Sequence, residues 1–258
     1  MNINWDGLTL FLYIVMRMSG FVLLNPFFGR SNFPALYKAG FVLVLSVTVS
    51  SASAGGAVMP GTAVEFLLHA LLEFGVGAVF AAIIHFFLYI PEQAGEVVDT
   101  QMGMSMARMY DAGAQASLTT TASLLNMLAI LVFFATNSHL TLLRIMLTSG
   151  ELVPYGAARF GDAVANRAVE LFAECALLAV KMSLPILATE LMGQVGMGIL
   201  MKVIPQINVF AINIELKVVI GLSMLLLLLT PFRDYLLGVE NQMLSSLEGM
   251  LQLIGSTG

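Results

Sequence analysis

The sequence predicts an all-α protein of the polytopic membrane type, with about six hydrophobic helical segments arranged as kinked helical hairpins. Apolar residues make up 59% of the chain and charged residues only 10%, a balance outside the range of soluble domains. No Asp, Glu, Lys or Arg occurs between Lys38 and Glu65 or between Asp111 and Arg144. Each of these intervals is long enough for a helix to cross a bilayer. We expect residues 1–258 to form a single domain.

The composition excludes several kinds of site. Cys175 is the only cysteine, so no intramolecular disulfide and no multi-cysteine metal site can form, and we expect it to be a small buried hydrophobe. The net charge of −5 and the lack of a Lys/Arg cluster argue against nucleic acid as a partner. No nucleophile elbow or phosphate-binding loop occurs, and the three histidines lie far apart in the sequence. We therefore expect no cofactor and no enzyme activity.

The first two apolar segments are expected at residues 7–28 and 39–50. Arg17 lies near the middle of the first segment, and a guanidinium in a membrane-length helix is costly unless it is paired. Arg17 should therefore face protein or water rather than lipid. Asn25 and Pro26 should break this helix, because proline cannot continue the backbone hydrogen bonding.

The third segment, residues 63–90, carries Glu65, His69 and Glu73 at i, i+4 and i+8, a spacing that places all three on one helical face. Two interpretations of this face remain open. His and carboxylate side chains ligate metals and relay protons, but a polar stripe also pairs with basic residues on neighbouring helices. Gly75 and Gly77 follow directly and favour close packing against another helix.

Residues 91–122 are expected to form a long central loop, because the chemistry of the chain changes there. Methionines alternate with small residues, and β-branched threonines, which are weak helix formers, follow them. A cluster of flexible methionines can close around changing shapes and reopen, although generic helix packing explains the pattern as well. The methionines are Met102, Met104, Met106 and Met109, and the threonines are Thr119, Thr120 and Thr121.

The second half of the chain predicts three further apolar segments: residues 124–147, a fifth segment from about 167, and residues 209–229. A linker is expected at 149–161 and an amphipathic tail at about 233–258. Pro185 should kink the fifth segment, and Pro205 should end it near residues 202–204. The glycines before this end indicate either close approach of another helix or a needed bend, with an ordinary kinked hairpin as the alternative. These glycines are Gly193, Gly196 and Gly198.

Charged side chains within the apolar segments are expected to pair between helices or between subunits. Glu174 and Lys181 illustrate the pattern, because their spacing of seven places them on one face of the fifth segment. The full set is Arg17, Glu65, His69, Glu73, Glu174, Lys181 and Glu190.

Short motifs are spread over nearly the whole chain. They are RMSG at 17–20, NPFFG at 25–29, EFGVG at 73–77, GEVVDTQMGM at 95–104, NSH at 137–139 and VP at 153–154. The most specific is KVIPQINVF at 202–210. In this combination the chain resembles the FliR-type export-gate proteins of flagellar and virulence type III secretion systems. Ala112 and Glu215 depart from the pattern, because the family often has proline at both places.

The resemblance implies a structural pore subunit of a protein-export gate in the bacterial inner membrane and the flagellar basal body. The implied partners are FliP-type and FliQ-type subunits, an FlhB-type switch subunit, an FlhA-type export component and transient unfolded export substrates. A pore constriction and plug would comprise Met102, Met104, Met106, Met109, Tyr110, Asp111, Gln115, Thr119, Thr120 and Thr121. A subunit-docking elbow would comprise Lys202, Pro205, Gln206, Asn208, Phe210 and Lys217.

A secondary transporter is the alternative from another functional class. Its substrate or proton pathway would use Arg17, Glu65, His69, Glu73, Glu174 and Lys181, and prolines that interrupt helices are features that such transporters use. A transporter should be stable alone and bind a solute, whereas an export subunit should need its partners. No convincing internal repeat favours the transporter.

Overall fold

The computed structural model describes residues 5–26, 34–52, 57–104, 118–203 and 209–256. Within these ranges the chain is helical and contains no strand. The helices are α1 (Trp5–Leu24), α2 (Ala35–Ala52), α3 (Ala63–Met102), α4 (Thr120–Ala135), α5 (Ser138–Leu152), α6 (Asp162–Val203), α7 (Val209–Leu227) and α8 (Leu229–Ser256).

Three of these helices, α1, α3 and α6, are long and apolar enough to cross a membrane. The number rises to five if each of two bent pairs, α4 with α5 and α7 with α8, counts as one span. The prediction of an all-α polytopic membrane-type protein is therefore confirmed.

The chain divides into two compact units, each built from separate stretches of sequence. The first unit comprises Met1–Phe87, Asn137–Phe172 and Asn241–Gly258. Here α1 packs against α2. The core is filled from α1, α3, α5 and the end of α8, by side chains such as Tyr13, Phe21, Phe80, Met146, Leu247 and Ile254.

The second unit comprises Leu88–Thr136 and Ala173–Glu240. Its core takes side chains from the end of α3, from α4, from α6 and from the start of α8. Examples are Val98, Met102, Leu125, Ile186, Phe232 and Leu236. Cys175 is buried in this unit, as the sequence predicts.

The prediction of a long central loop at 91–122 is wrong at both ends. Helix α3 continues through Pro91 to Met102, and α4 begins at Thr120. Proline inside a helix removes one backbone hydrogen bond. Here, however, the next turns bury Ala94, Val98 and Met102, and this packing stabilises the helix beyond the proline. Thr119 is not part of a loop interior but the N-cap of α4, and its side chain accepts a hydrogen bond from Ala122 N–H.

The segment predicted at 124–147 is two helices rather than one. Asn137 lies between α4 and α5 with φ of 59°, a left-handed conformation that Asn tolerates better than most residues. Helix α5 then extends to Leu152, so the predicted linker at 149–161 begins later than expected.

In the second half of the chain, α6 is described as far as Val203, and residues 204–208 lie outside the described residues, so the end of the fifth segment near residues 202–204 stays a prediction. The helix runs through Pro185 without ending there. The expected close approach holds only at Gly193, where an added Cβ would lie 3.0 Å from Ile220 Cδ1. An added Cβ at Gly196 or Gly198 would meet nothing within 4 Å in the described part of the chain. The amphipathic tail predicted at about 233–258 corresponds to nearly the whole of α8, which buries Met243, Leu247 and Ile254 on one side.

Candidate functional site

A buried ion pair joins α1 to α3 in the first unit. Nε of Arg17 donates to Oε2 of Glu73 at 2.6 Å, and neither side chain is exposed to solvent. The prediction that Arg17 faces protein is confirmed. Glu73 pairs with a basic residue on a neighbouring helix, as one of the two interpretations of its helical face requires. A buried charge is tolerated only when it is paired and its remaining hydrogen-bonding groups are satisfied.

The remaining hydrogen-bonding capacity of this pair is met by α5 and the segment that follows it. The guanidinium of Arg17 donates to Ser149 Oγ at 3.1 Å and to the carbonyl oxygen of Val153 at 3.0 Å. It also lies 4.3 Å from the centre of the Tyr155 ring, in a cation–π contact. Gly156 N–H donates to the second oxygen of Glu73 at 2.8 Å. The pair therefore holds three separate stretches of the chain together.

Two glycines explain how α1 and α3 come close enough for this contact. A Cβ added at Gly20 would overlap the carbonyl oxygen of Phe74, and one added at Gly77 would overlap that of Arg17. Each glycine is about one helical turn from a member of the ion pair. Small residues let helix backbones approach closely, so the predicted close packing at Gly77 is confirmed.

Glu65 and His69 do not join Glu73 in one site. Glu65 is exposed and accepts a hydrogen bond from Gly61 N–H at 2.7 Å, and Nδ1 of His69 lies 3.4 Å from the Tyr13 hydroxyl. Both residues line a cavity of about 440 Å³ together with Arg159. Within the described residues, no three His, Cys, Asp or Glu side chains are grouped so that they could hold a metal ion.

A second polar cluster, in the second unit, fastens the end of α3 to the start of α4. The Asp99 carboxylate is buried and accepts hydrogen bonds from both the backbone N–H and the hydroxyl of Thr121. Two turns earlier, Oε1 of Glu92 accepts from the side-chain amide of Asn126 at 2.8 Å. A Cβ added at Gly95 would overlap the backbone of Ala122. We call Glu92, Gly95, Asp99, Thr121 and Asn126 the α3–α4 clamp.

We predict that Asp99→Ala lowers the free energy of unfolding of the isolated chain by about 1–3 kcal/mol, because two buried donors of Thr121 lose their acceptor. Asp99→Asn keeps one acceptor oxygen and should lower the free energy of unfolding by less. Denaturant unfolding in detergent measures both variants. Native stability in Asp99→Ala would contradict the importance of the clamp.

The predicted constriction and plug residues fall on both sides of the clamp. Met102 is fully buried and packs against Gly221, a packing position within the second unit. Met104 is half-buried. Thr119 and Thr121 are buried in the cap of α4, whereas Thr120 is exposed. Met106, Met109, Tyr110, Asp111 and Gln115 lie outside the described residues. Their role in a constriction or plug stays a prediction.

The predicted elbow residues are only partly within the described ranges. Lys202 is exposed at the end of α6, and Lys217 is half-buried on α7. Pro205, Gln206 and Asn208, and the side chain of Phe210, lie outside the description. Among the predicted pairing charges on α6, Lys181 is exposed, Glu174 is half-buried and Glu190 is buried.

Sequence reasoning missed the partners that complete these clusters. Ser149, Tyr155 and Asn126 were not identified as site residues, and Asp99 was recognised only as part of a motif. A single polar residue on an apolar helix, such as Asn126, gives a weak signal because its partner lies 34 positions away. The only signal in the sequence that Asp99 is buried is its helical spacing from the buried apolar residues of α3.

The fold and these clusters define a helical membrane-type protein in which buried charges hold helices together. Comparison with known proteins then identifies the family. The chain belongs to the bacterial export proteins, family 1, whose family model matches residues 8–243. This family is one of export-apparatus components rather than a known class of enzymes.

Individual relatives are similar over almost the full chain. The flagellar biosynthetic protein FliR of Bacillus subtilis (strain 168) is 26% identical over 260 residues, which cover 99% of each chain. FliR of Escherichia coli (strain K12) is 22% identical over 98% of this chain and 97% of its own length. The Yop proteins translocation protein T of Yersinia pestis is 26% identical over 86% of this chain and 85% of its own. The recognition of a FliR-type protein is thereby confirmed.

Proposed function

We propose that this chain is a structural pore subunit of the flagellar-type protein export gate in the bacterial inner membrane. It assembles with FliP-type and FliQ-type subunits around a closed, gated channel for unfolded export substrates, next to FlhB-type and FlhA-type components. Family membership supports a role in the flagellar and type III export apparatus, because the relatives are named for flagellar biosynthesis and for Yop translocation. The assembly itself is our inference.

The observation that carries the assembly is the apolar outer face of α6. Leu191, Met192, Val195, Ile199 and Val203 recur at helical spacing on this face and are each 55–75% exposed. The opposite face of the same helix carries the buried Ile186, Glu190 and Met197. An apolar face of this length must be covered by lipid or by protein.

Lys181 favours protein as the cover of α6. This lysine is exposed near the middle of α6, which is one of the three helices long enough to span a membrane. An ammonium within a membrane-spanning stretch is expensive in lipid and calls for a partner group from protein or for water. Neighbouring subunits supply both apolar contacts and acidic partners.

A transporter pathway receives less support from the arrangement of charges. Arg17 and Glu73 are fully buried and bonded to each other, so neither is available to a travelling solute or proton. Glu65 is bonded to the backbone N–H of Gly61 at the exposed start of α3. Export remains the function that fits both the family and these contacts.

Assembly is tested by co-expressing the full chain with FliP-type and FliQ-type subunits, purifying through a tag on this chain and measuring the native mass. We expect a hetero-oligomer that contains all three chains. A stable monomer that recovers neither partner and binds a small solute would favour the transporter instead.

The plug is tested by replacing residues 105–117 with a Gly/Ser linker of equal length. Asp99 and Thr121 stay in place, so the α3–α4 clamp is retained. We expect cells that carry the assembled variant gate to become leaky to small solutes and ions. The matched control is a double alanine variant of exposed Leu67 and Leu71 on α3, which leaves this segment intact. Native permeability in the linker variant, with the complex assembled, would count against the plug.

A further inference from the structure

Glu190 is a buried carboxylate that makes no side-chain hydrogen bond within the described structure. Only 1% of the residue is exposed, and the backbone N–H of Gly221 faces the carboxylate without completing a hydrogen bond of good geometry. Two other buried carboxylates, those of Glu73 and Asp99, each accept at least two hydrogen bonds. Glu190 is therefore an exception that needs a counter-charge.

The surroundings of Glu190 belong to the second unit and are apolar. Its Oε1 lies 3.2 Å from the position that a Cβ on Gly221 would occupy, so the carboxylate rests directly against the backbone of α7. The Met102 side chain lies against the same side of Gly221. An isolated charge in such a place costs several kcal/mol.

Within the described residues, Lys217 is a cation close enough to attract this carboxylate. It precedes Gly221 by four residues on α7, so both lie on the same helical face. Its side chain is half-buried. The distance along the helix is one turn, about 5.4 Å, which the four-carbon stem of a lysine can span. Gly193, which faces Ile220 between the two helices, puts no side chain in the way.

We infer that Lys217 and Glu190 form an ion pair that joins α6 to α7, the two helices connected through the 202–210 elbow. The pair requires the Lys217 side chain to extend towards Gly221, which would bring its ammonium to the carboxylate. The pair joins α6 and α7 within the chain itself, whereas we expect the elbow residues to contact other subunits. Lys217 is therefore a positioning residue for the hairpin rather than a docking residue.

The test is a double-mutant cycle on the isolated full-length chain in detergent, read as the midpoint of thermal unfolding. Lys217→Met keeps the length of the stem but leaves Glu190 charged and buried, and we expect it to lower the midpoint by roughly 6 °C or more. In the Glu190→Gln background the same change should shift the midpoint by only about 2 °C. The swapped pair, Glu190→Lys with Lys217→Glu, should recover part of the loss.

Lys202→Met is the matched control, because Lys202 is an exposed cation at the end of α6 and should change the midpoint by only about 1 °C. Equal effects of Lys217→Met with and without the Glu190 carboxylate would overturn the inference. So would a Lys217→Met chain that is natively stable alone but no longer recovers partner subunits, since Lys217 would then pair across an interface. Because the isolated chain is measured, the result does not depend on the proposed export gate.

Discussion

Replacing Arg17 with methionine is expected to lower the free energy of unfolding by about 3–5 kcal/mol, the largest effect of any single substitution considered for this chain. The substitution leaves the Glu73 carboxylate fully buried, with Gly156 N–H as its remaining hydrogen-bond donor among the described residues. It also removes the hydrogen bonds to Ser149 and Val153. Methionine preserves much of the volume of the arginine stem, so the loss reflects charge and hydrogen bonding rather than a cavity. Denaturant unfolding of the full chain in detergent measures the change.

Two further variants separate this explanation from a general sensitivity of α1. The double variant Arg17→Met with Glu73→Met removes both charges and should be more stable than Arg17→Met alone, because no uncompensated charge remains. Arg167→Met removes the exposed ion pair with Glu170 and should change stability by about 0.5 kcal/mol at most. If Arg17→Met and Arg167→Met were equally mild, the buried pair would not stabilise the first unit.

Gly77→Ala should lower the free energy of unfolding by about 1–3 kcal/mol, although alanine is the better helix former. The added methyl would overlap the carbonyl oxygen of Arg17, which is backbone and cannot rotate away. The two helices must then separate, and separation stretches the 2.6 Å contact between Arg17 and Glu73. Unfolding of the full chain measures this change, and substitution of Gly77 by a larger residue should lower the free energy of unfolding further.

Gly40→Ala is the control for this substitution, because an added Cβ on Gly40 of α2 would meet no atom of the described residues within 4 Å. There we expect no loss and a gain of up to about 1 kcal/mol from helix propensity. Opposite signs at the two glycines would demonstrate that close backbone approach decides the result. Similar changes at both positions would argue against a tight crossing of α1 and α3.

Most of the helical architecture could be predicted from composition and periodicity. The long apolar segments and the buried face of the tail follow from local rules. The boundaries that failed are those at which tertiary packing competes with a local signal. Pro91 predicts the end of a helix, but the burial of Ala94, Val98 and Met102 carries α3 onward. Asn137 breaks the fourth segment through a left-handed conformation that periodicity does not reveal.

The sequence predicts that Arg17 needs a partner, but it does not predict most of the contacts that Arg17 makes. An arginine in the middle of an apolar helix requires a partner, and the helical face of Glu73 offered one. The sequence could not identify Ser149, Val153 or Tyr155 as the groups that complete the pair, because they lie more than 130 residues from Arg17 and have no spacing in common with it. Long-range partners of this kind are set by topology.

The first unit draws residues from Met1–Phe87, Asn137–Phe172 and Asn241–Gly258, and this has a consequence for biogenesis. Leu247, Leu251 and Ile254 of α8 are fully buried in it, and a Cβ added at Gly255 would overlap the carbonyl oxygen of Leu152. Until residues 241–256 have been translated, α1 and α3 therefore lack one wall of their core. A chain truncated before residue 241 is expected to be less stable for the same reason.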